Sequence, residues 1–125
     1  MDLSELAYTD SGILDLKDNN GIVMEEGGKV AQIEVFGPDT DEVMNAQTRY
    51  REERIKAGDD MKARRRAECR LLAGFTKRFH NVQFHDKDAT AKDAFAIYME
   101  VSRVRKQVDD YVIDDGNFIR SGPKS

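Results

Sequence analysis

The sequence predicts an α+β fold, mainly helical, in which a small N-terminal antiparallel β hairpin or meander is followed by about four helices. Three observations carry that prediction. β-branched runs broken by glycine turns are confined to residues 13–36. Several apolar-periodic stretches, most with a capping residue at their start, follow residue 39. A chain of 125 residues with one cysteine supports a single core and no disulfide framework. The expected layout is a flexible N-terminus over 1–12, one domain over 13–119 (β-rich over 13–36, mainly helical over 39–119), and a flexible tail over 120–125.

The elements follow in order. Ile13-Leu14-Asp15-Leu16 reads as a strand, closed by the turn signal Lys17-Asp18-Asn19-Asn20-Gly21, after which Ile22-Val23-Met24 resumes β composition. Gly27-Gly28 makes a second break, and Val30–Phe36 is a strand with Ile33 and Val35 on one face. Gly37-Pro38-Asp39-Thr40 ends it. Asp39 or Thr40 caps a helix that runs to about Lys56 and is stopped by Gly58. Its apolar stripe is thin: Val43, Ala46 or Gln47, Tyr50 and Ile55. A helix this polar is either largely exposed or covered by a partner.

Asp59-Asp60 caps a second helix, Met61 to Phe75, with Ala63, Ala67, Leu71 and Phe75 on one stripe beside Leu72. Phe79–Asp86 alternates apolar and polar residues and fits either a strand or an extended linker. Thr90 and Asp93 form a capping-box pair before a helix carrying Ala94, Phe95, Ile97, Tyr98 and Met99. Ser102 opens the last helix, with Val104, Val108, Tyr111 and Val112 inward, ending near Asp115-Gly116.

Charge is unevenly spread. Residues 1–48 carry eleven acids against Lys17 and Lys29, whereas residues 49–79 carry eleven bases against five acids. Opposite signs on two parts of one chain favour attraction within or between copies. No run approaches the ~20 apolar residues of a membrane span, and the start lacks a signal-peptide pattern.

Catalytic chemistry is not expected, and neither are a cofactor and a metal. His80 and His85 are five apart, on opposite faces of any strand they share. Cys69 has basic helix neighbours Arg65, Arg66 and Arg70, and no His or acid in the sequence suggests a catalytic pair for it. Asp110 and Asp114 share a helix face that suits a cation, or simply a solvated surface. Gly27-Gly28-Lys29 lacks the earlier Gly and the following Ser or Thr of a phosphate loop. Arg64-Arg65-Arg66 is the best nucleic-acid signal, set against an acidic whole and no recognition element.

The order of motifs adds a further reading. An Ile13-x-x-Leu16-x-Asp18 start and a strand ending Glu34-Val35-Phe36-Gly37-Pro38-Asp39-Thr40 precede a charged helix with Gln47-Thr48-Arg49. Leu71-Leu72-Ala73-Gly74-Phe75-Thr76 leads to Phe79-His80-Asn81-Val82-Gln83-Phe84. Ala94-x-x-Ile97-Tyr98, Val104–Asp109 and Gly116-Asn117-Phe118-Ile119 complete the series. This succession, over about residues 13–119, resembles the tail assembly chaperones of long-tailed bacteriophages. Family members often have Trp near the position of Phe79 and a Gly-Lys turn near Asp86-Lys87, where this chain has Phe and Asp.

The resemblance implies a non-structural protein of the infected host's cytoplasm, not expected in the mature virion. Such chaperones bind the long, helical tape measure protein, keep it soluble, and help recruit tail tube protein. Self-association and a longer product made by −1 ribosomal frameshifting are common in the family. Gly122-Pro123-Lys124 is encodable by GGC-CCA-AAG, which contains a slippery heptamer. The candidate contact residues are Tyr50, Ile55, Phe95, Tyr98 and Met99 for an apolar client, and Arg64, Arg65 and Arg66 for an acidic neighbour. A structural tail or head–tail component and a nucleic-acid-associated phage accessory protein are the alternatives.

Overall fold

Alternation and capping translate directly into the elements of a computed structural model, which describes residues 2–119. The strands are β1 (Ser11–Asp15), β2 (Glu25–Glu26), β3 (Lys29–Val30), β4 (Gln32–Phe36), β5 (Thr76–His80), β6 (Gln83–Phe84) and β7 (Lys87–Asp88). The helices are α1 (Asp41–Ala57), α2 (Met61–Phe75), α3 (Ala94–Glu100) and α4 (Ser102–Val112). Short 3-10 turns lie at Leu3–Leu6, Ala91–Asp93 and Asp115–Phe118. The fold is α+β and mainly helical. The stretch expected as a tail, 120–125, lies outside the described residues.

The central sheet is antiparallel with order β1-β4-β5. Strand β4 buries Ile33 and Val35 completely and turns Gln32, Glu34 and Phe36 to the other face. Three expectations need correction. Residues 22–24 form no strand, although Lys17 and Val23 make a single bridge; the pairing, which the sequence left open, is β1 with β4, Leu14 opposite Ile33. The Asp18 carboxylate accepts hydrogen bonds from the Asn20 and Ile22 amides and closes a tight loop, across which the Met24 amide donates to the Leu16 carbonyl at 2.8 Å. Gly27 and Gly28 then turn the β2–β3 hairpin with positive φ at both positions, the backbone of a two-residue hairpin turn.

The second correction concerns the strand after α2. Thr76 caps α2 in an extended conformation, so the chain runs straight into β5 and pairs with β4, Ile33 opposite Phe79. A bulge between Glu34 and Val35 breaks the period-two pattern by which sequence would reveal this strand. The third is the N-terminus. Residues 8–12 belong to the fold: Tyr8 bridges Ile119, the Thr9 amide donates to the Phe118 carbonyl at 2.7 Å, and β1 starts at Ser11.

The helices start where the caps placed them. The Thr40 hydroxyl accepts from the Val43 amide, and the Asp60 carboxylate accepts from the Lys62 and Ala63 amides. Gly58, at φ 53°, ends α1. Thr90 and Asp93 complete a reciprocal capping box ahead of α3. Helix α2 packs against α1 through Ala46 and Gly74, where a Cβ on Gly74 would sit 2.7 Å from that of Ala46. The core gathers Ile33, Val35, Cys69, Tyr98, Val108 and Phe118, all essentially inaccessible. The hydroxyl of Thr76 donates to the Leu72 carbonyl, which leaves the Tyr98 phenol as the donor in their 2.6 Å contact. Burial raises the Tyr98 pKa well above its usual value, which keeps that donor protonated.

Candidate functional site

A cleft of about 760 Å³ opens on the side of the molecule where two small hairpins meet the last two helices. Its deepest lining is Leu16, Ala31 and Ile97, all buried. Met24 and the β2–β3 hairpin form one part of the lining; Val82, Gln83, Phe84 and Asp88 form another; Val101 and Val104 come from the α3–α4 corner. Met24 is 46% exposed, and its neighbours Ile22 and Val23 are exposed as well. The lining is mostly apolar, and the charges it includes, Glu25, Glu26, Lys29 and Asp88, lie on exposed hairpin positions.

The frame around the cleft is fixed by side chains that imitate a β ladder. Gln107 on α4 accepts from the Lys17 amide at 2.8 Å and donates to the Lys17 carbonyl at 2.9 Å. Asn81, at φ 58°, donates to the Val30 carbonyl at 2.8 Å and joins the two hairpin regions. His85 Nε2 lies within 3.1 Å of a Glu100 oxygen, tying the β6–β7 turn to the end of α3. The hairpins themselves have two residues per strand, a length that is marginal on its own.

The residues singled out from sequence do not form one surface. Tyr50 is half-buried on α1, and Ile55 on the same helix is 82% exposed. Phe95 is half-buried beneath the Arg70 guanidinium, 5.2 Å from the ring centroid, and Met99 is exposed. Tyr98 is a correction: it is fully buried and builds the core, so no partner reaches it. Arg64 folds back onto the turn before α2, pairing with Asp59 at 3.5 Å and donating to the Gly58 carbonyl. Arg65 and Arg66 are exposed. The cleft itself was missed. Its one local signal was the Ile22-Val23-Met24 run, three exposed large apolar residues of which Met24 lines the cleft.

The remaining chemistry-bearing groups are spent on structure. The Cys69 thiol is inaccessible, and burial pushes its pKa up against the opposing influence of Arg105. His80 joins Ser11, Lys77 and Arg78 around the Glu34 carboxylate on the outer sheet face. Asp110 pairs with Lys106, and Asp114 accepts from the Gly116 amide, so the two carboxylates serve separate partners. Among the described residues no group of three or more His, Cys, Asp or Glu converges on one point, and no helix is long and apolar enough to cross a membrane. No family model, curated protein or solved structure matches the chain.

Proposed function

We propose that this chain is a tail assembly chaperone of a long-tailed bacteriophage. It takes an apolar helical segment of the tape measure protein into the cleft, keeps that client soluble in the host cytoplasm, helps recruit tail tube protein, and is left out of the finished particle. The observation that carries the reading is the open apolar cleft on a chain that is 35% charged. A holding protein needs apolar surface for its client and ionised surface to keep the complex dispersed. A helix presents its apolar side chains at i, i+3, i+4 and i+7, and a groove lined by Met24, Val82, Phe84, Val101 and Val104 accepts such a face. Met24 adds an adaptable surface, and the short hairpins let the mouth adjust to more than one client sequence.

The test is co-expression with the large helical protein encoded downstream. The soluble fraction of that protein rises several-fold with the wild-type chain and falls back with Met24→Asp combined with Phe84→Asp, which places charge in the cleft. Unchanged client solubility in the presence of the wild-type chain defeats the reading. Mass spectrometry of purified virions finds a retained tail component but not a chaperone.

A further inference from the structure

Two surfaces of the molecule are open and complementary. The first is the cleft, apolar within and carrying Glu25, Glu26 and Asp88 against the single cation Lys29. The second is the far end of the α1–α2 hairpin. There Ile55 is 82% exposed and Met61 70% exposed, on either side of the Gly58 turn. Residues 54–66 carry six bases against two acids. Arg64 is tied down by Asp59, but Lys56, Lys62, Arg65 and Arg66 are exposed on the same helical hairpin as the two apolar side chains. None of the residues lining the cleft comes from α1 or α2, so the arm and the cleft of one copy are separate.

We infer that the basic, apolar-tipped arm of one copy docks in the acid-rimmed cleft of a second copy. Ile55 and Met61 leave water for the apolar lining, and Arg65 and Arg66 meet Glu25 and Glu26. Opposite charge steers the two surfaces together and fixes their register, and salt weakens the encounter. Donor and acceptor surfaces differ, so the contact is heterologous unless a two-fold axis uses both arms at once. A docked arm fills the space that any other occupant requires. Self-association and capture of a second protein therefore exclude each other. The contact needs only another copy of this chain and stands or falls apart from the identity of any client.

Sedimentation velocity of the full chain over a wide concentration range, at low and high salt, tests the contact. The variants are Arg65→Glu with Arg66→Glu, and Glu25→Lys with Glu26→Lys, all at exposed positions; circular dichroism verifies that both remain folded. The wild-type chain associates as concentration rises, and high salt weakens the association. Each double variant alone raises the dissociation constant about tenfold or more. An equimolar mixture of the two restores association, because the unaltered arm of one variant meets the unaltered cleft of the other, and the acidic arm meets the basic rim. A wild-type chain that stays monomeric throughout, association indifferent to both charge reversals, or a mixture that fails to recover overturns the inference.

Discussion

Helix α2 buries Ala67, Cys69, Leu72 and Phe75 and nothing in its first six residues, though it is regular throughout. Helix α1 does the reverse, burying Val43 and Ala46 near its start and no residue from Gln47 onward. The two helices thus share one base in the body and one arm outside it. In the body, helix and strand form because apolar faces have somewhere to go. In the arm they persist through caps and the Gly58 turn, and a cross-helix pair, Arg70 with Glu53 at 2.7 Å, joins the helices where the arm meets the body. Surface pairs of that kind contribute little each. The contrast teaches that regular secondary structure in this chain does not imply local stability, and that arm and body answer to different substitutions.

The same substitution in both regions gives the largest contrast. Ile33→Ala empties a fully buried site in β4 and costs about 2–5 kcal/mol in urea unfolding, whereas Ile55→Ala on the arm stays within about 0.5 kcal/mol. Equal losses at the two sites would erase the distinction. At the base, Gly74→Leu forces a side chain against Ala46 and separates the helices, at a cost of about 1–3 kcal/mol. A normal unfolding midpoint for that variant would mean the two helices part without consequence. Asp60→Ala removes the cap of α2 and costs about 1 kcal/mol of local helix stability. Amide exchange should speed up over residues 61–66 and leave Leu72 to Phe75 unchanged. Uniform acceleration along α2 would instead show arm and body opening as one unit.

The final test is acid. Partial burial pushes the Glu34 pKa up, but hydrogen bonds from Ser11 and His80 and the charges of Lys77 and Arg78 outweigh it, and the net shift is downward from 4.5. A carboxyl with a depressed folded pKa stabilises the fold above its unfolded value, and that contribution disappears as pH falls through the folded one. Wild type should exceed Glu34→Gln in stability near neutral pH, with the gap closing below pH 4.5. A gap that is constant with pH would separate Glu34 from the acid response.

How much could be read beforehand follows the same division. The caps at Thr40, Asp60 and Thr90 and the stop at Gly58 are local chemistry, and α1, α2 and the start of α3 fall within a residue or two of where those signals put them. Ile33 and Val35 were legible because β4 alternates cleanly. Strand β5 was not, because its bulge hides the alternation and its partner lies some forty residues upstream. Tyr98 and Met99 are sequence neighbours with the same apolar appearance, yet one is in the core and the other faces out. Rotation about a short helix decides that, and only the packing of α3 on α2 sets the rotation. The cleft belongs to the same class: its lining comes from five separate stretches, and the run ending in Met24 marks only one of them.

Tyr8 and Ile119 lie side by side at one edge of the sheet. A short linker joining residue 119 to residue 8 would therefore close the polypeptide into a ring with little rearrangement, and the ring could be reopened between Gly58 and Asp59, where both residues are exposed. Such a circular permutant would keep every buried contact while giving each helix of the arm a free terminus. Its folding would ask directly whether covalent continuity at that turn matters to anything beyond the arm.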